Sequence, residues 1–108
     1  MDDINLGWLS PTGEFVKCSS YDHTETAREI LSSIKNIPEK DMECADDVLN
    51  DSGWVYIGIS SLGRKEYRIY WRGHLTPEQI QFLRPYFENN SIPVYPYIAQ
   101  RFREDAGN

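Results

Sequence analysis

Residues 54–72 read WVYIGISSLGRKEYRIYWR, and this stretch decides the fold prediction. In both halves every second residue is apolar, which is the period of a β-strand that buries one face. These positions are Val55, Ile57 and Ile59 in the first half and Tyr67, Ile69 and Trp71 in the second. Residues 61–63 (Ser-Leu-Gly) supply a turn between the halves. The stretch therefore predicts a β-hairpin with strands at 54–60 and 65–72.

The N-terminal segment predicts a second hairpin. Residues 6–9 and 14–18 are short strand candidates, separated by Ser-Pro-Thr-Gly at 10–13. Pro11 presets its backbone φ for a turn, and Gly13 is free to adopt a positive φ.

Two helices are predicted between the hairpins. The first begins near Asp22, which can form a capping box with Glu25, and ends before Pro38. The second begins near Asp41, and Gly53 stands where a C-terminal glycine cap belongs.

A third helix begins at Thr76, because a Thr cap, a Pro at the first helical position and Gln79 at the third form a strong start signal. Pro85 predicts a kink or an early end of this helix.

Residues 92–98 contain two prolines and predict an edge strand or an extended segment. Residues 101–108 are expected to fray.

Together these elements predict an α+β fold: an antiparallel sheet of about four strands, in two hairpins, with about three helices packed mainly on one face. The 108 residues suit a single domain over 1–108.

The composition favours an acidic protein of a reducing compartment. The formal net charge is −6 and the pI about 4.8, which repels nucleic-acid phosphates and favours basic partners. No stretch reaches the roughly 18 apolar residues of a membrane span. Asp2 and Asp3 stand where a signal peptide needs bases, and two cysteines make no disulfide framework. We therefore expect a cytoplasmic protein of a bacterium or its phage.

Cys18, His23 and His74 are the candidate metal ligands. If strands two and four run in the same direction, their C-terminal ends lie at one rim of the sheet and the three side chains converge there. One thiolate and two imidazoles suit Zn²⁺ in a structural site. The fourth ligand stays open between Cys44, Asp22, another carboxylate and water. The competing interpretation is a small buried cysteine and two ordinary surface histidines.

Acidic residues dominate residues 39–51, where Lys40 is the one opposing cation. They predict either a solvated helix face or a surface that docks on a basic groove of a partner protein. The candidate partner-binding residues are Asp41, Glu43, Asp46, Asp47 and Asp51.

Two alternatives to a binding protein stay open. Arg64, Arg68 and Arg72 interleave with Tyr70, a pattern that can hold nucleic acid. A zinc ion with an open position can activate water for hydrolysis. A Cys18–His23 catalytic pair lacks an identifiable third group to orient the histidine, so no catalytic residue is assigned and we expect a protein that is not an enzyme.

A longer series of residues is similar to a known family. The series consists of residues 7–15 (GWLSPTGEF), Cys18, His23, Ala27, residues 53–55 (GWV), residues 74–76 (HLT) and Gln79. Over roughly residues 6–87 it resembles small proteins that phages and mobile elements of Gram-positive bacteria carry. Among these it looks like the type II-A anti-CRISPR proteins, metal-containing inhibitors of Cas9.

This resemblance implies that Cys18, His23 and His74 hold a structural metal ion. It also implies an inhibitor that binds Cas9 and stops the loading or cleavage of target DNA. From the acidic charge and the lack of a membrane span we further expect no direct contact to nucleic acid or membrane. Cys44 falls outside the pattern.

Overall fold

The computed structural model describes residues 6–18, 23–34, 37–60, 66–88 and 93–107. The strands in this part of the chain are β1 (Gly7–Leu9), β2 (Phe15–Lys17), β3 (Val55–Ser60) and β4 (Glu66–Tyr70). The helices are α1 (His23–Ile34), α2 (Glu39–Glu43), α3 (Ala45–Asp51), α4 (Pro77–Glu88) and α5 (Pro96–Asp105). The predicted α+β class with a four-stranded antiparallel sheet is confirmed.

The strand order is β2-β1-β3-β4, and all neighbours are antiparallel. Because β1 lies between β2 and β3, those two strands run in the same direction. The connection that contains α1, α2 and α3 therefore crosses one face of the sheet. β4 runs opposite to β2, and these two strands form the two edges.

The helices cover both faces of the sheet, whereas about three helices mainly on one face were expected. On one face, Trp8 of β1 packs with residues of α1 and α3, including Ala27, Leu31 and Leu49. On the other face, Leu9 of the same strand belongs to a cluster that draws on α4 and α5. Since neighbouring strand residues point to opposite faces, Trp8 and Leu9 each begin a separate core.

The hairpin predicted at 54–72 is confirmed for the described residues. β3 and β4 pair in the register Tyr56↔Tyr70, Ile57↔Ile69 and Gly58↔Arg68. The apolar face enters the core as predicted: Val55, Ile57, Ile69 and Trp71 are at most 1% exposed. The turn at 61–63 lies outside the described residues, as does the predicted cap Asp22.

The second predicted helix is divided in two. α2 ends at Glu43, Cys44 adopts a non-helical conformation, and α3 begins at Ala45. The glycine expected at the end of α3 is present: Gly53 has a φ of +97°, and its N–H donates to the Asn50 carbonyl at 3.1 Å.

The C-terminal segment differs from the expectation. Val94 forms one parallel bridge with Tyr67, and α5 follows directly. Pro96 occupies the start of α5, where its missing N–H costs nothing. Phe102, in the segment expected to fray, is 4% exposed and stacks on Phe87 with ring centroids 4.1 Å apart.

α4 begins with the predicted capping box. Gln79 N–H donates to Thr76 Oγ1 at 3.2 Å, and Gln79 Oε1 accepts from the Thr76 N–H at 3.0 Å. Pro85 lies inside α4, which continues to Glu88, so the early end that it predicted does not occur.

The Gln79 side chain also ties α4 to the sheet. Its Nε2 donates to the Ser10 carbonyl at 3.1 Å and to the Gly53 carbonyl at 2.7 Å. Thr76 Oγ1 donates to the Pro11 carbonyl at 2.7 Å. The first turn of α4 thus fixes the β1–β2 turn and the α3–β3 corner together.

Gln79→Ala is expected to lower the free energy of unfolding by about 2–4 kcal/mol, because it leaves the Gly53 carbonyl without its donor and removes a capping interaction. Urea unfolding followed by circular dichroism measures this change. Gln81→Ala is the matched control, since Gln81 is exposed on the same helix. Equal effects of the two substitutions would contradict this role of Gln79.

Candidate functional site

The side chains of His23, Asp46 and Tyr56 meet at the start of α1, and Cys18, which follows β2, lies near Tyr56. We call Cys18, His23, Asp46 and Tyr56 the Cys18–His23 cluster. Cys18 follows β2, and its N–H donates to the Leu6 carbonyl at 2.9 Å. Cys18 and Tyr56 pack against the core cluster beneath α1 and α3.

His23 is held by a carboxylate. Its Nδ1 lies 3.1 Å from Asp46 Oδ2, and its backbone carbonyl accepts from Trp8 Nε1 at 2.9 Å. An ionised carboxylate only accepts hydrogen bonds, so Nδ1 carries the proton and Nε2 of the neutral ring is the acceptor. Histidines that bind metals usually donate their other nitrogen to a carboxylate in this way. His23 is therefore oriented to offer Nε2 to an ion or a proton.

Asp46 carries an unpartnered atom. Its Oδ2 serves His23 and also accepts from Thr24 Oγ1 at 3.3 Å. Its Oδ1 is buried and has no hydrogen-bond partner among the described residues. Buried polar atoms are usually paired, so this oxygen is an exception among the described residues.

Tyr56 lies beside these groups, with its ring centroid 4.8 Å from that of His23. Burial, followed by the negative charges of Cys18 and Asp46, raises the pKa of Tyr56 to about 12. Its hydroxyl therefore stays protonated at neutral pH and remains a hydrogen-bond donor.

His74 lies at a different place in the fold. Its Nδ1 is 3.0 Å from Asp105 Oδ1, and its side chain is 91% exposed. Asp105 Oδ2 accepts from Trp71 Nε1 at 3.1 Å and from the Leu75 N–H at 3.0 Å. Burial raises the pKa of Asp105, but the hydrogen bonds from His74, Leu75 and Trp71 outweigh it and hold that pKa below its usual value.

The strand order explains why His74 is separate. The expected convergence assumed that β2 and β4 run in the same direction, and this premise is wrong. Cys18 follows one edge strand and His74 the other, at opposite ends of the sheet. Three interstrand spacings of ~4.8 Å separate the edges, about 14 Å in all, whereas zinc ligands lie about 2 Å from the ion.

The set Cys18, His23 and His74 therefore does not fit one ion. Within the described ranges no group of three or more His, Cys, Asp or Glu side chains is arranged to hold a metal. Cys44 is exposed and donates to the Lys40 carbonyl at 3.3 Å, and Asp22 lies outside the described residues. The structural Zn²⁺ itself stays a prediction.

The predicted acidic surface is partly paired within the chain. Asp47 and Asp51 bind Arg72 at 3.0 and 2.6 Å, and Asp46 binds His23. Asp41 and Glu43 form no ion pair with another described residue. The unpaired acidic charge is thus concentrated on α2.

The predicted arginine stripe is also interrupted. Arg72 is engaged by Asp47 and Asp51, and Arg64 lies outside the described residues. Arg68 is exposed on β4. A continuous basic strip across these three residues is not seen in the part of the chain that the structure describes.

The orienting carboxylates are the residues that the sequence did not reveal. Asp46 was expected only as a surface acid, and Asp105 lay in a segment expected to fray. Each meets its histidine through tertiary packing, so no local spacing signals the pair.

Comparison of the chain with protein-family models, with curated proteins and with solved structures finds no match. None of the helices in the described ranges is long and apolar enough to cross a membrane.

His74→Ala is expected to leave the zinc-to-protein ratio of the purified protein equal to that of the wild type, because His74 lies far from Cys18 and His23. Elemental analysis by mass spectrometry measures the ratio, with Cys18→Ser and His23→Ala measured in parallel. Equal loss of zinc in all three variants would show that the three residues share one ion and would contradict the separation.

Asp105→Asn is expected to lower the free energy of unfolding by about 1–3 kcal/mol at pH 7, because the carboxylate accepts three hydrogen bonds that link α5 to the end of β4. Glu104→Gln is the matched control on an exposed position of the same helix. Thermal unfolding compares the two, and a change no larger than that of the control would argue against this role.

Proposed function

We propose that this protein acts by binding another protein, and that the partner is a CRISPR-Cas9 effector whose loading or cleavage of target DNA it blocks. The proposed setting is the cytoplasm of a bacterial host cell. The proposal rests on the resemblance over residues 6–87 and on the charge of α2 and α3.

The carboxylates of α2 and α3 are the observation that carries the proposal. Five of the thirteen residues 39–51 were expected to contact the partner, and Asp47 and Asp51 keep 66% and 65% of their side chains exposed while bound to Arg72. Asp41 and Glu43 add two carboxylates without an internal partner among the described residues. An acidic surface of this kind is complementary to a groove lined with Lys and Arg.

Ion pairs within the chain determine how strongly each carboxylate can contact the partner. Arg72 must release Asp47 or Asp51 before a partner cation can replace it, so these two acids contribute less to binding. Asp41 and Glu43 need no such exchange. We therefore assign the leading electrostatic contact to α2.

This mode of action is stoichiometric. A basic groove that holds nucleic acid through its phosphates is occupied by the carboxylates of α2 and α3, and DNA is excluded by competition. One inhibitor then removes one effector, whereas an enzyme would inactivate an excess of its target.

Asp41→Lys combined with Glu43→Lys is expected to weaken inhibition at least about tenfold, because it places like charges against a basic groove. Capture of target DNA by the Cas9–guide complex is measured by gel shift as the inhibitor is titrated. Glu29→Lys combined with Glu104→Lys is the matched control, with the same change in net charge on exposed positions of α1 and α5.

Full DNA capture and cleavage at saturating wild-type protein would rule the mechanism out. Equal weakening by both double variants would show that net charge, and not the α2 surface, controls binding. Complete inhibition at a small fraction of one inhibitor per effector would instead indicate an enzyme.

A further inference from the structure

The outer edge of β4 carries an open pocket that shares Tyr56 with the Cys18–His23 cluster. Its volume is about 280 Å³, below the roughly 300–1,000 Å³ typical of small-molecule sites and suited to one large side chain. α1 and α3 cover the sheet over β1 and leave this edge accessible. The residues that line the pocket are Tyr56, Arg68, Ile69, Tyr70, Tyr95 and Ile98.

The rim of the pocket combines exposed aromatic rings with an unpaired cation. Tyr70 and Tyr95 are 44% and 50% exposed. Arg68 is exposed and forms no hydrogen bond or ion pair with another described residue. Glu66, two residues before it on the same face, does not line the pocket. An anionic group at the rim would therefore meet Arg68 without displacing an internal partner.

The backbone edge of β4 beside the pocket is covered. The Tyr67 N–H points away from β3 and donates to the Pro93 carbonyl at 2.8 Å. The carbonyl of Trp71 accepts from Arg101 Nη1 at 3.2 Å. Ile69, halfway between them, directs its N–H and C=O to the same edge by the alternation of antiparallel strands. Ile69 is 1% exposed, so this part of the β4 edge is closed to an incoming peptide backbone and binding would rest on side-chain contacts.

We propose that this pocket binds a short extended segment of a partner protein, in which one large aromatic side chain is flanked by acidic residues. The aromatic ring enters between Tyr56, Tyr70 and Tyr95, where offset and edge contacts between rings are favourable. A flanking carboxylate reaches Arg68 at the rim.

The chain's net negative charge does not prevent an acidic segment from binding at this pocket. At physiological ionic strength the Debye length is about 8 Å, so the charges near the pocket decide binding. The pocket selects acidic segments and the α2 surface selects basic ones. The proposal is therefore independent of the Cas9 proposal, and either can fail alone.

The test uses the full chain and a blocked tripeptide, N-acetyl-Glu-Trp-Glu-amide, followed by ¹H–¹⁵N NMR. We expect amide shifts that saturate and that map to residues 67–70 and 94–98. Arg68→Gln is expected to weaken binding about tenfold, the loss of one charge-assisted hydrogen bond. Arg103→Gln, an exposed arginine of α5, and Tyr97→Ala, an exposed tyrosine outside the pocket, should bind as the wild type does.

Two further probes test the parts of the ligand. N-acetyl-Lys-Trp-Lys-amide and N-acetyl-Glu-Ala-Glu-amide should each bind at least about tenfold more weakly than the first peptide. Equal binding of the lysine peptide, shifts that map elsewhere, or no shift at about 10 mM would overturn the proposal. So would tighter binding of a hexathymidylate in place of the peptide, since that result would assign the tyrosines and Arg68 to single-stranded nucleic acid.

Discussion

The buried amide of Gln79 is the interaction on which the rest of the arrangement depends. It is 1% exposed and joins three segments that are far apart in sequence: the β1–β2 turn, the corner before β3 and the start of α4. Because its two donors serve carbonyls of Ser10 and Gly53, α4 can begin at only one place against the sheet. That placement directs Leu83 of α4 into the core cluster that contains Leu9.

The two ends of the sheet consequently have different characters. At the end closed by Gln79, the polar groups satisfy one another, and Asp105 adds hydrogen bonds from Trp71 and Leu75. At the opposite end, His23 and Asp46 pair with each other, and Asp46 Oδ1 has no hydrogen-bond partner among the described residues. Interactions at the first end stabilise the fold, and the predicted metal ligands Cys18 and His23 lie toward the second.

Local sequence signals predicted most helices and strands, whereas the features that depend on tertiary contacts were not predicted. The β3–β4 hairpin and the Thr76–Gln79 capping box follow from alternation and from spacing within four residues. The strand order does not follow from such local signals. Sequential strands usually neighbour one another, but β2 and β3 do not pair, because β1 lies between them and pairs with both. That order separates Cys18 from His74. α5 was missed because the two prolines in residues 92–98 indicated an edge strand or an extended segment, although proline also begins helices.

Arg72 sets the boundary between the two surfaces to which we assign binding. Its guanidinium binds Asp47 and Asp51 on α3, and its Nε donates to the Tyr70 hydroxyl at 3.2 Å. The first contact pairs two carboxylates of α3, whereas Asp41 and Glu43 of α2 form no ion pair with another described residue. The second holds the ring of Tyr70 at the rim of the aromatic pocket. One cation at the end of β4 therefore keeps an acidic surface and an anion-accepting pocket apart on a chain of 108 residues.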